Sequence, residues 1–372
     1  VIDIDDFKKV NDGLGMIAGD ELIQLFGGFL KELTRDNVFA CHLNNDVYCI
    51  AIYDPSVDCN AEQIYKTLLK RTRDPFELST KQNVNITVSI GVAEYPEAAA
   101  TPLELINCAE IVMYRCKSMG KNAMKYFDAS ILNDFLRNIE LDNKLREAAF
   151  HNNFELYYQP QFYTGNKKLR GAEALIRWKD EENHMISPTV FIPIAEKNGC
   201  IIPIGDWVIE ESIRTFAAWR EKYAEPFILS INVSAIQYNK IDFVDSLLLI
   251  IRKYHVNPNE VEIEITESVL IEDFEKVIDK LKILRGHGIR VSLDDFGTGF
   301  SSLSYLKKLP IDTLKIDKSF IDTVLADSAT RIITESIINM VKSLGIESIA
   351  EGVEEQAHYD YLHAIGCDME SV

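Results

Sequence analysis

The residues able to do chemistry in this sequence are Glu173, Asn232, Glu264, Asp294 and Asp295, joined by Lys315 and Glu351. Each falls at the carboxyl edge of a short apolar run, and one acid in such a place is most often a helix N-cap or a surface carboxylate. Acids at several successive edges are a different matter. If the runs are strands of one closed sheet, the side chains share a small volume in which like charges repel unless cations are bound. Hard carboxylate oxygens with an asparagine carbonyl suit Mg²⁺ or Mn²⁺ rather than zinc. Adjacent Asp294 and Asp295 suit two ions about 4 Å apart with one acid shared, the arrangement of in-line phosphoryl displacement. Phosphodiester hydrolysis is the expected reaction, with Lys315 orienting the water or offsetting charge on the pentacovalent phosphorus.

Directly after the aspartate pair, Phe296-Gly297-Thr298-Gly299-Phe300-Ser301-Ser302 is rich in glycine and hydroxyls. Glycine permits positive φ and close backbone approach, as a phosphate-adjacent or mobile loop requires. Arg177 shares a strand with Glu173, and period-two alternation turns it toward the same mouth, where its fork could hold a phosphate. A surface salt bridge is an equally good reading of Arg177.

The elements that must position these residues follow from periodicity. From residue 154, strands read at Phe154 to Gln159, Gly171 to Trp178, Phe227 to Val233, Val261 to Thr266, Arg290 to Asp295, Thr313 to Asp317 and Ser348 to Val353, alternating with amphipathic helices. Such a series predicts parallel strands in an open doubly wound sheet or a closed barrel. An open sheet gathers ligands at one switch point, whereas a (β/α)₈ barrel gathers them from all strands at its C-terminal face, so the barrel is favoured. Its eighth strand is expected to be missing, because the chain stops just after Cys367-Asp368.

The first region reads as a separate α/β domain, with strands at Val1 to Asp5, Asp46 to Tyr53 and Val84 to Glu94 and helices at Asp20 to Leu33 and Leu103 to Met119. Ala129 to Ala149 reads as a connecting helix. The expected domains are therefore 1–128 and 151–372, with a linker helix over 129–150.

Composition agrees with two ordinary globular domains in 372 residues, with 47% hydrophobic and 26% charged residues. The net charge of -19 argues against a duplex-binding groove, which needs a basic stripe. Seven cysteines, scattered and without a CxxC pair, suggest neither a zinc site nor a disulfide framework and point to a reducing, cytoplasmic setting. No apolar run is long enough to span a membrane. The opening Val-Ile-Asp-Ile-Asp reads as mid-domain sequence, so an upstream sensor or membrane anchor is expected in a longer protein.

Taken together, Tyr158-Gln159-Pro160-Gln161, Glu173-Ala174-Leu175 with Arg177-Trp178, Ser187-Pro188 with Phe191-Ile192-Pro193 and Ala195-Glu196, Asn232-Val233-Ser234, Glu264-Ile265-Thr266-Glu267-Ser268, Asp294 to Gly299, Lys315-Ile316-Asp317 and Ala350-Glu351-Gly352-Val353-Glu354 resemble the EAL domain of cyclic di-GMP phosphodiesterases. The resemblance covers about 140 to the end. It implies a TIM-like barrel in which Glu173, Asn232, Glu264, Asp294, Asp295 and Glu351 hold two Mg²⁺ or Mn²⁺. It further implies that Lys315 contacts the hydrolytic water and that Glu267 braces the loop from Asp295 to Ser302. Gln159, Leu175, Arg177, Pro188 and Asp317 would meet cyclic di-GMP, and the product would be linear pGpG. A homodimer is expected. The family continues after its Gly-Cys-Asp to a glutamine, where this chain reads Met369-Glu370-Ser371-Val372, with Ser371 standing in for it or the chain ending first. The competing reading is a catalytically weak cyclic di-GMP receptor.

Asp3-Ile4-Asp5, Phe7-Lys8, Asn11-Asp12 and Gly19-Asp20-Glu21, followed by Cys108-Ala109-Glu110, Met113-Tyr114, Lys117 and Gly120-Lys121-Asn122, resemble a GGDEF diguanylate cyclase domain lacking its opening strand and helix. Its signature falls at Asn44-Asn45-Asp46-Val47-Tyr48. Asp46 survives as a metal-ligand candidate with Asp3, but Val47 replaces the second acid and Asn44-Asn45 the glycine pair. The product-inhibition motif, at Arg35 to Val38, has lost its acid. Cyclisation is therefore not expected. Asn11 and Asp20 for guanine, with Lys117 and Lys121 for phosphate, leave GTP as an expected regulator, beside the plainer reading of a scaffold.

Overall fold

Short apolar runs and amphipathic stretches build two units, Val1–Glu140 and Leu141–Val372, in the computed structural model. The structure describes all residues except 54–59, 152, 181–182, 224–226, 271–273, 298–305 and 372.

In the first unit the strands are β1 (Ile2–Ile4), β2 (Val38–Asn44), β3 (Val47–Ile52), β4 (Phe76–Glu77), β5 (Asn83–Val84), β6 (Val88–Val92) and β7 (Met124–Tyr126). Five form a sheet in the order β2-β3-β1-β6-β7, while β4 and β5 pair separately. The helix Met16–Glu32 lays Leu22, Phe26 and Leu30 on a core with Ile2, Ile4 and Tyr48. The helix Pro102–Ser118 starts at a capping box, Thr101 with Glu104, and has proline in its first turn. One expectation is corrected: Val84 to Glu94 is not a single strand but β5 and β6. Strand β2, whose apolar and polar residues do not alternate cleanly, was not anticipated.

The helix Ala129–His151 leads to the second unit, where Leu141, Leu145, Ala148 and Ala149 join the core. There the strands are β8 (Phe154–Tyr163), β9 (Leu169–Lys179), β10 (Met185–Ile186), β11 (Ile228–Asn232), β12 (Val261–Thr266), β13 (Arg290–Phe296), β14 (Thr313–Ile316), β15 (Glu347–Ala350) and β16 (Met369–Ser371). The order β9-β11-β12-β13-β14-β15-β16-β8 returns to β9, which closes a barrel of eight strands.

Two expectations change here. The closing strand is present: Met369–Ser371 pairs parallel with β15 and antiparallel with β8. Three residues are too few for a pattern of alternation to announce a strand. The barrel is also not all parallel, because β8 runs antiparallel to both β9 and β16. The connection from Tyr163 to Leu169 is a short hairpin, and a parallel crossover needs a dozen residues or more.

Alternation sorts the strands by chemistry. Leu229, Ile231, Ile263, Ile265, Leu293, Leu314 and Ile316 belong to the apolar core cluster and are buried. Their neighbours Ser230, Glu262, Glu264, Ser292, Asp294, Thr313 and Lys315 are buried as well, and they face the barrel interior. Branched apolar side chains fill most barrels of this type. Here the filling is polar and charged.

Candidate active site

The interior side chains form two charged layers. Arg170 lies at the irregularity where β8 and β9 slip register, which turns it inward. Its guanidinium donates to Glu262 Oε1 and Oε2 at 2.8 and 2.7 Å and to Gln161 Oε1 at 2.7 Å. Ser230 Oγ and Thr313 Oγ1 also donate to Glu262, at 2.9 and 2.8 Å. Arg290 reaches Glu262 Oε2 at 3.3 Å and also pairs with Glu347. Burial raises the Glu262 pKa, but Arg170, Arg290 and Thr313 outweigh it and bring the carboxyl down to about 2.

The second layer lies toward the carboxyl ends of the strands and is built on Lys315. Its Nζ stands 2.9 Å from Glu173 Oε2, 2.8 Å from Glu264 Oε2, 3.2 Å from Asp294 Oδ2 and 2.7 Å from Glu351 Oε1. Burial works against the ammonium, yet these four acids hold its pKa well above the ordinary lysine value. Asn232 Nδ2 donates to Glu173 Oε1 at 2.6 Å. Its amide carbonyl is the kind of hard oxygen that Mg²⁺ or Ca²⁺ accepts as a ligand.

With Asp295 the cluster has five carboxylates to one ammonium, an excess of four negative charges if all ionise. Burial, then repulsion from Glu173, raises the Glu264 pKa well above its ordinary value. Burial also pushes Glu351 up to about 7, with Lys315 opposing and Asp294 adding to the rise. Asp295 is raised by burial and then by Asp294 and Asp317.

The donor set fits divalent cations. Oxygens of Glu173, Glu264 and Asp294 lie within 4.8 Å of one another, as do those of Asp294, Asp295 and Glu351, so Asp294 belongs to both groups. Glu264 Oε1 is buried without a hydrogen-bond partner among the described residues. A buried carboxylate oxygen left in that state is costly unless a cation meets it.

Asp295 has φ 54°, a left-handed conformation rare for a residue with a side chain, which departs from the extended geometry that sends adjacent side chains to opposite faces. Glu267 Oε1 accepts from Gly297 N at 2.9 Å, which fixes the start of the following loop. Gly297 itself has φ 101°, and a Cβ there would stand 2.7 Å from the Phe320 ring. Thr298, Gly299, Phe300, Ser301 and Ser302 lie outside the described residues.

Of the residues expected to meet a dinucleotide, Gln159 is the register partner of Glu173. Leu175 and Arg177 follow Glu173 on the same face of β9 and are half-buried. The Arg177 guanidinium lies over the Tyr157 ring at 5.5 Å and donates to Ile176 O. Pro188 opens the helix Pro188–Asn198, and Asp317 caps the helix Lys318–Thr323 through Ser319 N. Sequence reading missed the Arg170–Glu262 layer, for which only the alternation of Glu262 with Glu264 gave a hint.

In the first unit, Lys117 Nζ donates to Asp3 Oδ1 at 2.6 Å. Burial raises Asp3 to about 6, with Lys117 lowering and Asp46 raising it further, so Asp3, Asp46 and Lys117 form one charged group. Lys121 Nζ instead reaches both oxygens of Asp6 at 3.0 Å. Asn11 lies against Gly19, where a Cβ would come within 1.9 Å of its Oδ1, and Asp20 is exposed on the same helix. Asn45 takes φ 42° in the hairpin turn. Val47 is buried with Val1, Ala109 and Met113, so the position is apolar core.

Residues 142–370 match the family description EAL domain, and residues 1–123 match Diguanylate cyclase, GGDEF domain. The chain is 37% identical over 368 residues to Signaling protein YkoW of Bacillus subtilis (strain 168), covering 99% of this chain and 46% of that protein. Identity is 33% over 367 residues to the Bifunctional diguanylate cyclase/cyclic di-GMP phosphodiesterase MucR of Pseudomonas aeruginosa, covering 99% and 53%. This chain therefore spans about half the length of these relatives. A solved structure, PaMucR Phosphodiesterase in complex with c-di-GMP, superposes with a TM-score of 0.60 at 35% identity, covering 62% of this chain and 94% of that one.

Proposed function

Because the chain belongs to the EAL domain family and carries a GGDEF domain ahead of it, we propose that its barrel hydrolyses cyclic di-GMP to linear pGpG. The observation that carries this reading is the cluster of five carboxylates around Lys315, with Glu264 Oε1 left unpartnered. Glu173, Asn232, Glu264, Asp294, Asp295 and Glu351 would hold two Mg²⁺ or Mn²⁺, which when bound supply Lewis-acid polarisation and an acidified water. In the reaction, water adds to one phosphodiester phosphorus and the bond to the ribose 3′ oxygen breaks.

The chain's own residues position that event. Lys315, held by four acids, orients the attacking water and offsets charge on the pentacovalent phosphorus. Glu267 fixes the loop entrance through Gly297. Arg177 offers its fork to a phosphate, and Gln159, Leu175, Pro188 and Asp317 line the dinucleotide site. Incubation with cyclic di-GMP should yield pGpG with Mn²⁺ or Mg²⁺ and none with Ca²⁺, whose longer and looser coordination does not place an attacking hydroxide. No product with either active metal, or full turnover with Ca²⁺, would refute the mechanism.

A receptor that binds cyclic di-GMP without hydrolysis is the second reading. It is favoured by the resemblance, in which a glutamine follows the Gly-Cys-Asp stretch, whereas this chain has Ser371 in the closing strand opposite Gln161. Binding without pGpG in the same incubation would select it.

The first unit, in this proposal, binds GTP through Asp3, Asn11, Asp20, Asp46, Lys117 and Lys121 but does not cyclise it, since Val47 is core rather than an acid. GTP titration should change the phosphodiesterase rate, and Asp20→Ala should abolish the change. Synthesis of cyclic di-GMP from GTP would overturn this part. The chain works as a cytoplasmic homodimer in this account; among the described residues no helix is long and apolar enough to cross a membrane.

A further inference from the structure

The sequence sets Cys41 and Cys49 eight positions apart, and the hairpin folds them face to face. They are direct register partners on β2 and β3, so both side chains stand on one face of the sheet. The ladder fixes their spacing. Tyr53 N donates to Asn37 O at 2.9 Å, and stepping inward by two residues on each strand, twice, makes Cys41 and Cys49 a hydrogen-bonded pair. The Cα atoms of such a pair stand about 5.5 Å apart, within the roughly 4.4–6.8 Å that a disulfide spans.

The two thiols differ in access. Cys41 is exposed and Cys49 half-buried. Burial raises the Cys49 pKa, and the neighbouring Cys41 thiol adds to the rise. Cys108, Cys116 and Cys367 are buried, and none of the other described cysteines is a register partner of another.

We propose that Cys41 and Cys49 form a reversible cross-strand disulfide, a redox-modification site in the hairpin that carries Asp46. A low-molecular-weight disulfide such as oxidised glutathione supplies the oxidant. The Cys41 thiolate attacks one of its sulfurs, forming a mixed disulfide and releasing one glutathione thiolate. Cys49 then loses its proton and attacks the Cys41 sulfur, expelling the second. Two protein thiols are oxidised by two electrons, one glutathione disulfide is reduced to two thiols, and the released protons go to the leaving thiolates. Strands already tied by ladder hydrogen bonds have little freedom to relax a bridge between them, and strained or exposed disulfides are the readily reduced ones. The oxidised ring encloses the Asn44–Asp46 turn and holds it in register beside Asp3.

The test incubates the full chain with oxidised glutathione, quenches free thiols and maps peptides after cleavage at Asp46, so that the two cysteines leave on different fragments. The expected product links Cys41 to Cys49 and is undone by dithiothreitol, while Cys49→Ser stops at a glutathione adduct on Cys41. A wild-type chain that accumulates the same adduct without the link, leaves Cys41 unmodified, or links it to another cysteine would overturn the proposal.

Discussion

Glu262 and Glu264 lie two residues apart on β12, are equally buried and face the same barrel interior, yet their pKa values move in opposite directions. Around Glu262 the protein supplies its own counter-charges, with Arg170 and Arg290 facing Glu262 and Glu347 and every oxygen of Glu262 hydrogen-bonded. Around Glu264 one lysine faces five acids, and an oxygen is left over. Burial is common to both, so it cannot be what separates structure from function. Charge balance separates them: the balanced layer ties strands together, and the unbalanced layer keeps acidic oxygens that could hold a metal ion.

The largest effect is expected from removing the carboxylate of the balanced layer. Glu262→Ala should destabilise the barrel by about 3–5 kcal/mol, since it strands the buried Arg170 without a counter-charge, and thermal or urea unfolding would measure it. A loss below about 1 kcal/mol would mean that water or another acid replaces Glu262.

The same operation one layer up should do the reverse. Glu173→Ala or Asp294→Ala should lower hydrolysis by about a hundredfold or more, while the melting temperature of the metal-free chain stays level or rises as carboxylate crowding is relieved. Normal turnover in either variant would remove it from the ligand set.

Acid sharpens the contrast. Glu262 is depressed from an ordinary 4.5 to about 2 in the fold, so its contribution to stability is complete above 4.5 and is lost as pH falls toward 2. Unfolding measured between those limits should lose stability in the native chain and less in Glu262→Gln; parallel losses would place the acid sensitivity elsewhere. The smallest effect is expected from Arg290→Ala. Its side chain is 26% exposed and solvent screens its pairs, so about 1 kcal/mol or less should be lost.

The upper layer was legible in the sequence because most of its members sit toward a strand's carboxyl end, and a closed arrangement brings such ends together, although Glu173 lies in the middle of β9. The structure does bring Glu173, Asn232, Glu264, Asp294, Glu351 and Lys315 into one cluster. The lower layer was not legible. Arg170 points inward only because of a register slip, which no alternation pattern reports. The antiparallel course of β8 depends on a hairpin connection, and the closing strand on three residues whose pairing is set by neighbours far away in the chain. The Cys41–Cys49 juxtaposition was likewise hidden, because β2 was not recognised as the partner of β3.

Calorimetric titration of Mn²⁺ into the metal-free chain decides whether the carboxylates around Lys315 take up divalent cations. Two ions per chain are expected in the native protein, with markedly weaker binding in Glu264→Gln and unaltered binding in Glu347→Gln, a change in the lower layer. Absence of Mn²⁺ binding, or equal binding in the native chain and Glu264→Gln, would contradict a metal site at this cluster.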